Sequence, residues 1–276
     1  MTGSEALVRG VRLLREAGVP EAAGDARRLL AHALGVAPGR LTVVLPDALM
    51  PVATEAYEGL LKRRAKREPV SHLVGTRSFW GRDFVVTQAV LDPRPETELL
   101  VAVALEEPFS RVLDLGTGSG CLLTTLLAER SDATGQGLDL SPAAIEVARA
   151  NALRHGVTDR AEFAPSDWFA AASGRYDLIV SNPPYVAAQE MPGLEPEVRD
   201  WEPRLALTDE ADGLDAYRAI LSKARAYLTS SGRLAVEHGP TQAREIAAIG
   251  MGHGFAAPEH RRDMDGRDRV CVFRAP

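Results

Sequence analysis

Asp177-Leu178-Ile179-Val180-Ser181-Asn182-Pro183-Pro184-Tyr185 decides how the whole chain is read. Leu178 to Val180 is a short apolar run of the kind that forms a strand buried on both faces. Pro183 and Pro184 lack backbone N–H groups and fix φ, so an interior strand cannot continue through them. A residue before proline is pushed towards extended conformations, which holds Asn182 and Pro183 out straight. The result is a stiff, polar-tipped turn at the carboxyl end of a strand, the edge at which open α/β sheets bind ligands. Asn182 offers a carbonyl acceptor and an NH₂ donor there, Pro183 a carbonyl, and Tyr185 a flat aromatic face. Proline pairs commonly mark plain surface turns. This one follows a buried-type strand with a nucleotide-type loop upstream, which favours the ligand-binding reading.

That upstream loop is Val112-Leu113-Asp114-Leu115-Gly116-Thr117-Gly118-Ser119-Gly120, a strand running into a glycine-rich turn and then a helix. Glycines let the backbone turn tightly and let a ligand approach it. The spacing is Gly-x-Gly-x-Gly, not the Gly-x-Gly-x-x-Gly of dinucleotide folds, and its place after the first strand of the sheet points to a nucleoside ligand. The second strand ends at Asp139, whose carboxylate can accept both ribose hydroxyls. Capping of the next helix falls instead to Ser141-Pro142. After the third strand, Ser166-Asp167-Trp168-Phe169 offers a carboxylate for an adenine amine and an aromatic cover for its ring. No Gly-Lys-Ser/Thr phosphate loop occurs. His72, His155, His238, His253 and His260 are scattered without metal-ligand spacing, so no metal is expected.

Residues 92–276 alternate strand and helix around these motifs. Strands are expected at Arg111–Leu115, Gly135–Asp139, Ala161–Ala164, Tyr176–Ser181 and Arg233–Glu237, with helices between them. A last pair, near Gly254–Ala257 and at Arg269–Arg274, has no helix between its members and should be antiparallel. The fold class is therefore α/β, a mostly parallel Rossmann-like sheet with an antiparallel last strand. Residues 1–72 read as a small helical bundle, with apolar positions at three- and four-residue steps and glycine stops at Gly18 and Gly35. A helix from Pro51 to Glu68 ends in Lys62-Arg63-Arg64-Ala65-Lys66-Arg67, read as a solvated face or, less often, a contact for an acidic partner or RNA. Residues 73–91 form a β-hairpin connector around Gly81.

The chain has 276 residues, 45% hydrophobic and 25% charged, a globular balance with a formal net charge of −6. An acidic chain argues against nucleic acid as the main partner. Two cysteines, Cys121 and Cys271, exclude a disulfide framework and a thiolate zinc cluster and fit a reducing cytoplasm. No apolar run is long enough to span a bilayer, and the first residues lack the order of a signal peptide.

Together these motifs resemble the class I S-adenosylmethionine-dependent methyltransferases. The closer resemblance is to the protein-(glutamine-N5) methyltransferases of peptide chain release factors, and it runs almost the full length. It covers the helical N-terminal domain, Pro69-Val70-Ser71-His72-Leu73, Phe79-Trp80, Arg94-Pro95-Glu96-Thr97-Glu98, Asp114 to Gly120, Ser166-Asp167-Trp168-Phe169 and Asn182-Pro183-Pro184-Tyr185. It extends through Glu202-Pro203, Asp212-Gly213-Leu214 and Glu237-His238-Gly239. Asp92 stands where that family usually has an aliphatic residue. The resemblance implies methyl transfer from S-adenosyl-L-methionine to the glutamine of a Gly-Gly-Gln motif in class 1 release factors, by a cytoplasmic monomer. Asn182, Pro183, Pro184 and Tyr185 would act on the amide. Gly116, Thr117, Gly118, Ser119, Gly120, Asp139, Asp167, Trp168 and Asn182 would hold the cofactor, and the first 72 residues would recognise the substrate. A nucleic-acid adenine or cytosine N-methyltransferase and a non-catalytic cofactor-binding scaffold are the alternative readings.

Overall fold

The computed structural model describes residues 1–274. They divide into two compact units, residues 1–76 together with 195–201, and residues 77–194 together with the chain from 202 onward.

The first unit is helical: α1 (Gly3–Glu16), α2 (Ala22–Ala33), α3 (Leu41–Val44), α4 (Pro51–Arg64) and α5 (Val70–Val74), with α9 (Pro196–Arg199) from the inserted segment. A capping box starts α1: Thr2 and Glu5 satisfy each other's backbone N–H groups. Leu14, Leu29, Leu30, Leu41 and Tyr57 fill the core. Gly10 lets α4 approach α1, since a Cβ there would lie 2.1 Å from the Tyr57 hydroxyl oxygen. That hydroxyl donates to Ala26 O at 3.2 Å.

The basic cluster differs from its sequence reading. The α4 helix stops at Arg64 rather than Glu68, and Arg67 turns the chain with φ +70°. Arg64 is buried and donates to Asp25 and to Glu197, both at 2.7 Å. Arg67 chelates the same Glu197 through two nitrogens, and Arg63 pairs with Glu68. The arginines are ion-pair partners inside the unit, and Lys62 and Lys66 are left exposed. Stranding one member of a buried ion pair costs about 3–5 kcal/mol. Glu197→Ala is therefore expected to destabilise the first unit by about 3 kcal/mol in urea unfolding, the low end because Asp25 still holds Arg64. A loss under about 0.5 kcal/mol, the range of an ordinary surface change, would show the clamp to be dispensable.

The second unit opens with the hairpin β1 (Thr76–Phe79) and β2 (Arg82–Val85). Its turn is Trp80-Gly81, both at positive φ, the geometry that matches strand twist in a two-residue loop. Next come α6 (Thr97–Leu105), β3 (Arg111–Leu115), α7 (Cys121–Glu129), β4 (Thr134–Asp139), α8 (Pro142–Arg154), β5 (Ala161–Pro165) and β6 (Tyr176–Ser181). The unit ends with α10 (Asp215–Tyr227), β7 (Leu228–Glu237), α11 (Ala243–Gly252), β8 (Glu259–Arg262) and β9 (Asp268–Arg274). Seven strands form one sheet in the order β5-β4-β3-β6-β7-β9-β8. The pairs from β5 to β7 are parallel, and β9 runs antiparallel to both β7 and β8. One sheet face packs on Leu100, Leu122, Leu126 and Phe84, the other on Phe169, Tyr217, Ile220 and Ile246.

The register aligns the strand ends. Leu115 sits opposite both Leu138 and Ser181. The residues that follow, Gly116, Asp139 and Asn182, therefore leave the sheet at one edge. The strand order reverses between β3 and β6, the switch point where such sheets bind ligands.

The penultimate strand lies at Glu259–Arg262, not near Gly254–Ala257. Gly254 at φ +83° ends α11, and Phe255 N returns to Gly250 O at 3.1 Å. Phe255, within the expected strand, is instead buried beside Phe273, ring centroids 5.5 Å apart. The true strand, Glu-His-Arg-Arg, is a mostly exposed sheet edge and carries no apolar alternation to read.

Candidate active site

The glycine turn after β3 is built from its own backbone. Gly116 N and Thr117 N both donate to Leu138 O, at 2.8 and 2.9 Å. Gly116, Gly118 and Gly120 all take positive φ. A Cβ at Gly118 would meet nothing within 4 Å, and one at Gly116 only Trp168, at 4.0 Å. Side chains at these two positions would project into space the turn leaves open. Gly120 serves packing instead, since a Cβ there would lie 2.9 Å from Ala148 Cβ.

Asp139 closes the turn. Its Oδ2 accepts from Gly118 N at 2.8 Å and its Oδ1 from Ser141 N at 2.9 Å. Helix capping of α8 falls to Ser141, which accepts from Ala144 N. Each carboxylate oxygen of Asp139 keeps acceptor capacity for a further donor. Ser166 Oγ donates to Trp168 O and accepts from Ala171 N, and this ties the Ser166–Phe169 turn. Trp168 is held at φ +48°, an outlier for a bulky side chain. Phe169 turns away into the core and stacks on Tyr227 at 4.7 Å.

Asn182 follows the last residue of β6. Its Nδ2 donates to Thr97 Oγ1 at 3.0 Å, near the Glu237 carboxyl at the end of β7. That bond orients the amide so that Asn182 presents Oδ1, an acceptor. Glu237 is buried, its carboxyl pushed up to about 7 by desolvation, with the neighbouring Thr97 hydroxyl acting in the lowering direction.

A cavity of about 540 Å³ gathers most of these groups. Gly116, Thr117, Gly118, Ser119, Asp139, Asp167, Trp168, Asn182 and Pro184 line it. Gly120, Pro183 and Tyr185 do not. The Pro183 side chain is buried, and the Tyr185 ring packs among the residues of the second sheet face. Tyr185 O accepts from Gln242 Nε2 at 3.0 Å, and burial pushes its hydroxyl up to about 12.

Several lining residues were not singled out from the sequence. Thr97 gives no signal beyond its place in Arg94-Pro95-Glu96-Thr97-Glu98. Leu140, Thr208, Asp209 and Lys223 also line the cavity, from loops and a helix that carry no motif. Arg94 Nη2 bonds Glu202 Oε2 at 2.5 Å and joins the proline-rich segment to the loop after Tyr185. Asp92, the departure from the family pattern, is buried and lines the same cavity. Five acids (Asp92, Asp139, Asp167, Asp209, Asp215) face it against two bases, Arg94 and Lys223. Such a lining suits a ligand carrying positive charge and repels a polyphosphate.

A glycine turn, a strand-end acid and an Asn-Pro-Pro-Tyr edge at the switch point of a sheet with an antiparallel last strand define a class I methyltransferase. Two solved structures share this fold. A methyltransferase from Pyrococcus furiosus covers 78% of this chain and 99% of its own, at TM-score 0.57 and 16% identity. The hMettl16 catalytic domain covers 78% and 81%, at TM-score 0.60 and 14% identity. The chain matches the PrmC N-terminal domain over residues 5–75 and the methyltransferase small domain over residues 79–194. It is 55% identical to the release factor glutamine methyltransferase of Cereibacter sphaeroides over 100% of this chain and 99% of that one. With the Rhodospirillum rubrum protein of the same name the identity is 44%, over 97% and 83%. The chain belongs to the release factor glutamine methyltransferase family.

Beneath the turn, Asp114 is fully buried and its carboxyl is pushed up to about 7 by desolvation, with the Thr117 hydroxyl bond at 2.7 Å acting in the lowering direction. Its folded pKa lies above the unfolded value, so between about pH 4 and 7 the folded chain holds a proton that the unfolded chain releases. Asp114 therefore favours folding below pH 4 and loses that contribution as pH rises to 7. Asp114→Asn removes this titration. Its urea midpoint should fall less between pH 5 and 8 than that of the wild-type chain. Parallel midpoint-against-pH curves would contradict the assignment.

Proposed function

We infer that this chain methylates the side-chain amide N5 of a glutamine in class 1 peptide chain release factors, with S-adenosyl-L-methionine as donor. One observation carries the reading. Thr97 takes the Nδ2 of Asn182, so the group offered at the cavity edge is a neutral acceptor, suited to an amide N–H.

The residues present fit the donor. Open space above Gly116 and Gly118, spare acceptor capacity on Asp139, the Trp168 ring beside the turn and the acidic lining match a nucleoside with a cationic sulfur. When bound, that group supplies an electrophilic methyl. Asp139 would take the ribose hydroxyls, and Asp167 and Trp168 the adenine.

An amide nitrogen is a weak nucleophile because its lone pair is delocalised, so placement matters more than a base. Asn182 Oδ1 and Pro183 O would accept the two N–H bonds and hold the nitrogen in line. Among the described residues no donor reaches Pro183 O, which leaves it available. Such positioning supplies about 7–11 kcal/mol of a barrier. The two fixed oxygens also stabilise the positive charge that develops on nitrogen. The proton can leave afterwards, and no histidine lines the cavity.

The same reading gives residues 1–72 the task of recognising the release factor, makes the working form a cytoplasmic monomer, and leaves nucleic acid no main part. Among the described residues no helix is long and apolar enough to cross a membrane.

Asn182→Ala should lower turnover about 10²–10³-fold, the cost of one preorganised polar contact, with cofactor affinity nearly unchanged in calorimetry. Near-normal turnover at saturating release factor would remove Asn182 from the reaction. Thr97→Val should act through Asn182: a lower kcat, unchanged cofactor binding, and recovery in Thr97→Ser. A Thr97→Ser enzyme as slow as Thr97→Val would make the residue a packing element only.

Recognition by the first unit is read as a ratio. A chain lacking residues 1–72 is made with Glu197→Ala, because the deletion strips Glu197 of its arginines. It should lose far more rate on a whole release factor than on a short glutamine peptide. Equal losses on both would leave the unit a stability element.

A further inference from the structure

Three side chains that lie far apart in sequence meet at the antiparallel end of the sheet. The register pairs His260 of β8 with Cys271 of β9, and Cys271 with Val236 of β7. His238, two residues beyond Val236, projects to the same sheet face. Cys271 Sγ lies 3.4 Å from His260 Nδ1. The ligand-capable atoms of His238, His260 and Cys271 all lie within 4.8 Å of one another. The histidine spacing along the chain gave no sign of this, because the sheet and not the sequence brings the residues together.

His238 is wholly buried. Its Nδ1 is 2.7 Å from Gly239 O, so Nδ1 carries the proton and Nε2 keeps its lone pair. Nε2 has no hydrogen-bond partner among the described residues. Buried polar atoms are rarely left so, and each asks for an explanation. An imidazole whose other nitrogen donates to a backbone carbonyl is the form in which histidine binds metals, with tautomer and ring orientation already set. Burial acts in the same direction, lowering the His238 pKa and keeping the ring neutral. Cys271 is also fully buried, and burial pushes its thiol up to about 12, so the sulfur stays protonated unless a cation beside it takes the proton's place.

The spacing suits a small tetrahedral ion. Zinc–nitrogen bonds of ~2.0–2.1 Å and a zinc–sulfur bond of ~2.3 Å set nitrogen-to-sulfur edges of about 3.5 Å, close to the 3.4 Å between Cys271 and His260. His260 is exposed, so its ring can rotate toward the other two groups, all within 4.8 Å. The donor set of two imidazoles and one thiolate selects zinc over magnesium or calcium, which take oxygen ligands.

We propose that His238 Nε2, Cys271 Sγ and His260 bind one Zn²⁺, with water in the fourth position on the exposed His260 side, and that the ion pins the edge strand β8 to β9 and β7. As the zinc–sulfur bond forms, the Cys271 thiol proton leaves to solvent, and both imidazoles bind through neutral lone pairs. The site lies outside the cavity and takes no part in methyl transfer.

The test uses the full chain, free of any affinity tag and stripped with chelator, titrated with Co²⁺ and then Zn²⁺. The expected result is one Co²⁺ per chain with a thiolate-to-cobalt charge-transfer band in the near ultraviolet. Zn²⁺ should displace it and raise the thermal midpoint. Cys271→Ser should abolish the band, while Cys121→Ser, at the only other cysteine, should keep it. His260→Asn changes an exposed residue and leaves the fold intact, so it is informative even if Cys271→Ser folds poorly. It should weaken Zn²⁺ binding by more than about 10-fold, since even partners that only orient a ligand cost about 10–100-fold. No charge-transfer band, a band that survives Cys271→Ser, or wild-type Zn²⁺ affinity in His260→Asn would each overturn the site.

Discussion

The hydrogen bond from Asn182 Nδ2 to Thr97 Oγ1 is the contact on which the proposed reaction geometry depends. An amide nitrogen has its lone pair delocalised and must be placed, so the acceptor proposed to receive it has to face one way. An asparagine can turn either end outward at little cost, and Thr97 removes that freedom. Three elements converge to do it. The prolines stop β6 so that Asn182 stands at the strand end. The α6 helix begins at Thr97. Pairing of Ser181 with Val236 brings Glu237 level with Asn182. The Thr97 hydroxyl, beside the Glu237 carboxyl, accepts the asparagine N–H.

The parallel sheet and the glycine turn were legible because each leaves a local mark. Buried central strands read as apolar runs, a phosphate-free glycine turn has its own spacing, and Asp139 falls at a fixed distance beyond it. Features fixed by contacts between distant segments left none. The β8 strand is polar because it is an edge, and the strand expected near Gly254–Ala257 is instead where Phe255 plugs the end of α11. Arg64 looked like one of a run of solvated bases, yet it is buried because Asp25 and a carboxylate 133 positions away surround it. Thr97 was quoted within a motif without a role, since its role exists only once Asn182 and Glu237 are beside it. The His238, His260 and Cys271 group was missed for the same reason. In each case the missing quantity was strand register or a long-range pairing, neither of which a single sequence displays.

Backbone strain and buried carboxyls both occur at the cavity. Trp168 is held at a positive φ, at a cost of about 1–3 kcal/mol for such strain. Asp114, Glu202 and Glu237 each sit so deeply that desolvation pushes their carboxyls to about 7. Each of the three stands beside a group at the cavity. Asp114 holds the Thr117 hydroxyl under the glycine turn, Glu202 holds Arg94, and Glu237 neighbours Thr97. A hydrophobic residue at any of these places would remove the desolvation cost, and the supported side chain would then be free to rotate. The fold tolerates these groups because its stability comes from elsewhere, from the two apolar sheet faces packed on Leu122, Leu126, Tyr217 and Ile220. Rigid polar placement at one sheet edge is thus supported by apolar packing across the rest of the sheet. In the proposed reaction, where the nucleophile is as weak as an amide nitrogen, that rigidity would do the work that a strong base does for other substrates.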